Sequence, residues 1–201
     1  MCKVIALVGA MASGKDTLFR NVCALTSKVT PLISTTSRPM RNGEKEGREY
    51  NFVSKEEMNK MLNDDKFVEV RAYNVATLET WYYGLEKDSI DLNSNNTYIV
   101  IVDIEGLKKI KNYLSDNGLR DNLVSVFIDC SAHIRMQRAL SREGKMTDEQ
   151  IKEVCRRNLS DMDFIVKYKN ECLINLKNET GKDLDYNQEF LVSLINAISE
   201  K

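Results

Sequence analysis

The residues best equipped for chemistry come early: Gly9-Ala10-Met11-Ala12-Ser13-Gly14-Lys15-Asp16-Thr17. Gly9 and Gly14, with the small Ala12 and Ser13 between them, let the backbone wrap an anion and turn successive N–H groups toward it. Lys15 adds a point charge that follows a phosphate through transfer. Such loops carry a hydroxyl for Mg²⁺ directly after the lysine, but here the position holds Asp16. A carboxylate is also a hard oxygen ligand, direct or through water, and Thr17 is the neighbouring hydroxyl. Both are candidate metal ligands, and the whole loop is a candidate site for the phosphates of ATP.

A second group suits a second phosphate. Arg38 and Arg41 lie three apart in a polar turn, with Ser34 before them and Tyr50 after, a composition suited to a multidentate clamp. Asp103 ends the apolar run Tyr98 to Val102, either as a carboxylate at the ligand-binding edge of a sheet, as a helix cap, or as both. Arg135, Arg138 and Arg142 precede the charged stretch Ser141 to Met146, and Arg156 and Arg157 follow it. Helical spacing puts 138 and 142 on one face.

These residues need a frame. Val4 to Val8, Tyr98 to Val102, Leu123 to Ile128 and Cys172 to Ile174 are apolar runs of the kind buried on both sheet faces. Amphipathic helical patterns near 15–26, 105–116, 131–141, 147–161 and 186–199 lie between and after them. Strands alternating with helices predict an α/β fold with a mostly parallel sheet covered on both sides. Pro31 to Ser34 offers a further strand. Residues 36–90 break the rhythm, with strand patterns at 49–53, 67–73 and 80–84 and a helix at 54–63, as expected of an inserted antiparallel lobe.

Composition excludes several functions. A formal charge of −1 gives no bulk attraction to nucleic acid or anionic membrane. Five cysteines, at 2, 23, 130, 155 and 172, form no CxxC pair, and with a single histidine (His133) there is no His-rich metal site. They read as reduced thiols in a cytoplasmic protein. The first apolar run is too short for a signal peptide, and no segment reaches transmembrane length.

The stretch Ile33-Ser34-Thr35-Thr36-Ser37-Arg38-Pro39-Met40-Arg41-Asn42-Gly43-Glu44, continuing through Gly47-Arg48-Glu49-Tyr50-Asn51-Phe52, resembles the guanylate kinase family and its TTRxPRxGExxGxDYxF pattern. Glu49 replaces the pattern's Asp. The resemblance implies a P-loop nucleoside-monophosphate kinase fold. That is a single domain over 1–201, with a five-stranded mostly parallel sheet flanked by helices (core 1–35 and 92–201). It adds an acceptor lobe at about 36–90 and a short lid at about 141–147. It further implies Mg²⁺-dependent transfer from ATP to a nucleoside monophosphate, most simply GMP or dGMP. Small-molecule nucleotides are then the partners, and the chain is a monomer or homodimer.

By the same resemblance, Ser34, Arg38, Arg41, Tyr50, Tyr83 and Asp103 hold the acceptor, and Glu69 reads its base. An ionised carboxylate only accepts hydrogen bonds, which suits the N1–H and N2–H₂ of guanine. Arg138 and Arg142 match the lid pair, and Arg156 or Arg157 matches a later arginine. Lys15, Arg38, Arg138, Arg142 and Arg156 form the expected catalytic set, and Asn175 lies on the adenine side. Leu85 stands where the family carries a base-reading hydroxyl, so another phosphorylated acceptor, such as a different deoxynucleotide or ribose 1,5-bisphosphate, stays open. So does a non-catalytic binding module.

Overall fold

Val4 to Val8 carries no polar residue because both of its faces are covered. The computed structural model describes residues 1–41, 43–74, 79–142 and 146–200, without the side chains of residues 142, 163, 164 and 166–168. In it this run is β1 (Lys3–Val8), the middle strand of a five-stranded sheet. The other strands are β2 (Val29–Pro31), β7 (Thr97–Ile101), β8 (Leu123–Asp129) and β9 (Ile174–Lys177), in the order β2-β7-β1-β8-β9. Every pairing is parallel. Side chains alternate along β1, so it supplies two cores. Ile5 and Leu7 pack with Leu18, Val22, Leu191 and Ile195 from α1 (Lys15–Leu25) and α6 (Gly181–Ser199). Val4, Ala6 and Val8 pack on the other face with Ile104, Leu107 and Ile110 from α3 (Ile104–Asp116).

The strand expected at Pro31 to Ser34 sits slightly earlier, as β2, on the sheet edge where a proline without an N–H is tolerated. The inserted lobe holds β3 (Thr35–Thr36), β4 (Asn51–Phe52), α2 (Lys55–Asn63), β5 (Phe67–Asn74) and β6 (Thr80–Glu86). Its sheet runs β4-β3-β6-β5 and is mixed instead of wholly antiparallel, because β3 and β4 pair in parallel across the loop that carries Arg38 to Tyr50. Gly43 and Gly47 turn that loop at φ 84° and 70°, in the left-handed region.

The remaining helices are α4 (Ala132–Arg142) and α5 (Asp148–Tyr168). α5 continues past residue 161 and α6 begins ahead of residue 186. Both start at capping boxes, Thr147 with Gln150 and Thr180 with Asp183, which satisfy orphan N–H groups at each end. Residues 143–145 of the expected lid, and 75–78 between β5 and β6, lie outside the described residues. Among the described residues no helix is long and apolar enough to cross a membrane.

Candidate active site

The loop after β1 is held in shape from several sides. Gly9 has no room for a side chain, since a Cβ would lie 2.8 Å from Ser13 Oγ and 2.9 Å from the Ile128 carbonyl. Gly14 has φ 92°, and a Cβ there would come within 2.3 Å of Asn178 Nδ2. Ala12 is also left-handed, at φ 59°. Lys15 Nζ lies 3.4 Å from the Ala10 carbonyl and 3.7 Å from Asp16 Oδ2, folded over the loop that it would share with phosphate. Asp16 and Thr17 follow in the first turn of α1, and Thr17 lines a cleft of about 500 Å³ with Gly14, Arg138, Asn178, Thr180 and Leu184.

Two supports of this loop carry no local sequence signal. Met11 N donates to Asp161 Oδ2 at 2.8 Å, across 150 residues of chain. Asp161 also pairs at 3.3 Å with Arg135, which is fully buried and donates further to the Cys130 carbonyl and Asn158 Oδ1. Asn178 Nδ2 donates to the Ser13 carbonyl at 2.8 Å, while its buried Oδ1 has no partner among the described residues. Asn175, the expected adenine-side residue, does not join this group. It lies in mid-strand on β9, lining a separate hollow with Asn187 and Phe190. Asn178, just past the end of β9, is the asparagine against the loop.

Arg138 spends its N–H groups on backbone: NH1 reaches the Ser13 and Asn178 carbonyls and NH2 the Glu179 carbonyl, at 3.0–3.3 Å. It knits the phosphate loop to the turn before α6. Arg142 ends α4, its side chain outside the described set. Arg156 and Arg157 are both exposed on α5 and fold back onto Glu153, so the structure brings neither to the loop. Their two guanidinium groups hold the Glu153 carboxyl down at about 2. His133 is exposed on α4.

The inserted lobe gathers most of the residues expected to hold an acceptor. Arg38 is 3% exposed and its fork grips Glu44 at 3.0 and 2.9 Å, while Arg41 N also donates to Glu44 at 2.8 Å. Burial works against the Glu44 charge, but these donors outweigh it and its pKa falls below the ordinary carboxylate value. Arg38 lies over the Tyr50 and Phe52 rings, 5.3 and 5.5 Å from their centroids, a cation–π arrangement. Tyr50 stacks edge-on against Tyr83, and Tyr83 against Tyr73, each at 5.5 Å. Burial pushes the Tyr50 hydroxyl up to about 12, with Asp16 of the phosphate loop within electrostatic reach. The Arg41 side chain is exposed, and Ser34 is buried at the foot of the lobe.

At the far end of this aromatic row lies a polar cluster. Glu69 and Arg71 share one face of β5, and Arg71 Nε and NH2 donate to the two Glu69 oxygens at 3.0 Å each. Arg71 NH1 lies 3.6 Å from Asp103 Oδ2, which also accepts from Tyr73 Oη at 2.5 Å. Asp103 Oδ1 accepts from Gly106 N, so Asp103 caps α3 while its other oxygen joins this cluster. Burial raises the Glu69 pKa and Arg71 pulls it back. Arg71 itself holds its proton more firmly than a free guanidinium, since Glu69 and Asp103 overcome its burial. Leu85 pairs across from Glu69 and is fully buried in the core beneath, so the position that lacks a hydroxyl serves packing. Arg71, like Asp161 and Asn178, is not singled out by the sequence. It reads there as an ordinary basic residue on a strand, and only the pairing with Glu69 distinguishes it.

Known proteins place the chain in a family. The guanylate kinase family model matches residues 1–175. The guanylate kinase of Caldanaerobacter subterraneus is 26% identical over 174 residues, covering 86% of this chain and 79% of that one. That of Sulfurimonas denitrificans is 29% identical over 171 residues, covering 81% and 78%. Among solved structures, the guanylate kinase of Anaplasma phagocytophilum superposes with a TM-score of 0.65 at 20% identity, over 99% of this chain and 87% of its own. The family match spans residues 1–175 and the fold likeness nearly the whole length, and the chain belongs to the guanylate kinase family.

Proposed function

We propose that the chain is an ATP-dependent kinase that moves the γ-phosphoryl group of ATP to a phosphate oxygen of GMP or dGMP, giving ADP and the nucleoside diphosphate. The observation that carries this reading is that two groups suited to phosphate, the Gly9 to Thr17 loop and the Arg38, Tyr50 and Tyr83 lobe, come near each other, with Asp16 within electrostatic reach of Tyr50. A binding module has no use for the first, and a nucleotidase without an acceptor none for the second.

The acceptor oxygen is already ionised near neutral pH, so no general base is required. What must be overcome is repulsion between two polyanions and misalignment of the attacking oxygen. Loop N–H groups and Lys15 hold the donor phosphates, and Arg38 with Arg41 holds the acceptor phosphate. For Arg38 to do so, phosphate must take over part of the fork now filled by Glu44. Asp16 and Thr17 offer hard oxygen donors at the head of α1, a set that fits Mg²⁺ shared with nucleotide phosphates and water. Bound there, the ion would neutralise charge on the donor phosphates. Arg142 and Arg156 enter this reading by the family pattern alone, since in the structure Arg156 is turned onto Glu153. Five free thiols suit a reducing, cytoplasmic setting.

The test is ADP formation from ATP and Mg²⁺ against GMP, dGMP, AMP, CMP, UMP, dTMP and ribose 1,5-bisphosphate. Turnover is expected with GMP or dGMP. Lys15→Ala should lower kcat on the order of 10²–10³-fold with the fold intact. Retained activity in that variant, or no turnover with any nucleotide, would sink the assignment.

A further inference from the structure

The cations at the phosphate loop come with carboxylates of their own. Lys15 Nζ sits 3.4 Å from the Ala10 carbonyl, over the loop, and Asp16 Oδ2 lies 3.7 Å from the same nitrogen. The carboxylate is therefore on the ammonium side of the loop, and it is the more open of the two, 55% exposed against 18%. It also acts electrostatically on Tyr50 in the inserted lobe, so its charge reaches the space between the two groups suited to phosphate. Arg135 is answered by Asp161 in the same way, and Arg138 keeps its N–H groups on the Ser13, Asn178 and Glu179 carbonyls.

A hydroxyl directly after the lysine would be neutral with or without a cation beside it. A carboxylate is not. Alone, it repels the phosphates of a nucleotide and draws on the Lys15 charge that would hold them; beside a divalent cation the same group becomes attractive. Asp16 and Thr17 are two hard oxygen donors, too few to hold Mg²⁺ on their own, since that ion keeps several waters and takes further ligands from substrate phosphates. Ion and nucleotide each lack part of the site until the other is there.

We infer that Asp16 couples the two: it excludes metal-free nucleotide from the phosphate loop and admits the Mg²⁺ complex, so that donor and ion bind as one unit. This rests on the kinase reading above and specifies the form in which the donor is taken. The competing role is purely structural, an acidic residue in the first turn of α1 that complements the helix dipole. Such a residue would steady the helix and leave the metal dependence of nucleotide binding untouched.

ADP titrated calorimetrically into the whole chain, with excess Mg²⁺ or with excess EDTA, reads the coupling without turnover. Two unit charges 4 Å apart interact even in bulk water by the equivalent of about 5-fold in affinity, and by more where protein displaces the water. Asp16→Ser and Asp16→Asn remove the charge and keep an oxygen donor. Each should tighten metal-free ADP at least ~5-fold, and the ratio of Kd in EDTA to Kd in Mg²⁺ should fall at least as far. The gain should shrink as ionic strength rises from about 0.1 M to about 1 M and the screening length contracts, a dependence that a merely reshaped loop would not show. A smaller gain in either variant, or one indifferent to salt, overturns the inference and leaves the helix-end role. If ADP does not bind the unaltered chain even with Mg²⁺, the proposed function and this inference fall together. Coupled binding without transfer to any acceptor counts against the proposed function alone.

Discussion

Asp161→Ala tests whether the phosphate loop is held from a helix 150 residues away. The carboxylate does two jobs, accepting from Met11 N at 2.8 Å and facing the fully buried Arg135 at 3.3 Å. Losing a charged acceptor from one backbone N–H costs about 1.5–3 kcal/mol. Leaving a buried cation without its partner costs roughly 3–5 kcal/mol when the pair is fully desolvated. Two observations reduce the second figure. Asp161 is 26% exposed, so water already screens part of the attraction, and Arg135 keeps its bonds to the Cys130 carbonyl and Asn158. A net loss of about 2–3 kcal/mol follows, or a fall in Tm of roughly 5–10 °C for a chain of this size. Asp161→Asn keeps an acceptor for Met11 N without the charge and should lose about 1 kcal/mol. Thermal melts followed by circular dichroism, paired with KM for ATP, read both effects, and KM should rise in the alanine variant as the loop loosens. Adding Arg135→Met to Asp161→Ala should recover part of the stability, because the uncompensated charge is gone. A Tm shift below about 2 °C for Asp161→Ala, or no recovery in the double variant, would refute the claim that this pair supports the loop.

Asn178→Ala removes the donor to the Ser13 carbonyl and should lower kcat/KM for ATP about 10-fold, whereas Asn175→Ala should stay within about 2-fold; steady-state kinetics on the two variants decide between the asparagines. Glu44 carries a pH signature. Its folded pKa lies below its unfolded value near 4.5, so its contribution to stability is fully present above about pH 4.5 and lost as pH falls through the folded value. Glu44→Gln should therefore flatten the acid limb of Tm against pH, and should raise KM for the acceptor more than for ATP. An unchanged acid limb would show that the Arg38–Glu44 fork does not stabilise the lobe.

What could be read from the sequence was local or periodic. The buried strands follow from apolar runs, α1 from its helical pattern, and the phosphate loop from glycines at fixed spacing in a strand–helix context. Helix ends were less visible, though Thr180-Gly181-Lys182-Asp183 holds a capping pattern that marks the start of α6 once the box is recognised. The parallel pairing of β3 with β4 has no signature at all, since two-residue strands leave no period and their partners are set by the loop between them.

The site divides along the same line. Arg38, Tyr50 and Glu44 sit within one stretch, so their types and spacing already describe a clamp. Asp161, Arg135, Arg71 and Asn178 act through partners brought by other elements, or by the pleat of a strand, and a charged residue alone is more often solvated surface. Glu69 shows the consequence most clearly. Read alone, it is a lone acceptor on a strand; in the fold the residue two places on, carried on the same face of β5, donates to both of its oxygens. Burial then turns that pairing from a surface ion pair into a fixed unit, because separating the two charges without water is far costlier than in solvent.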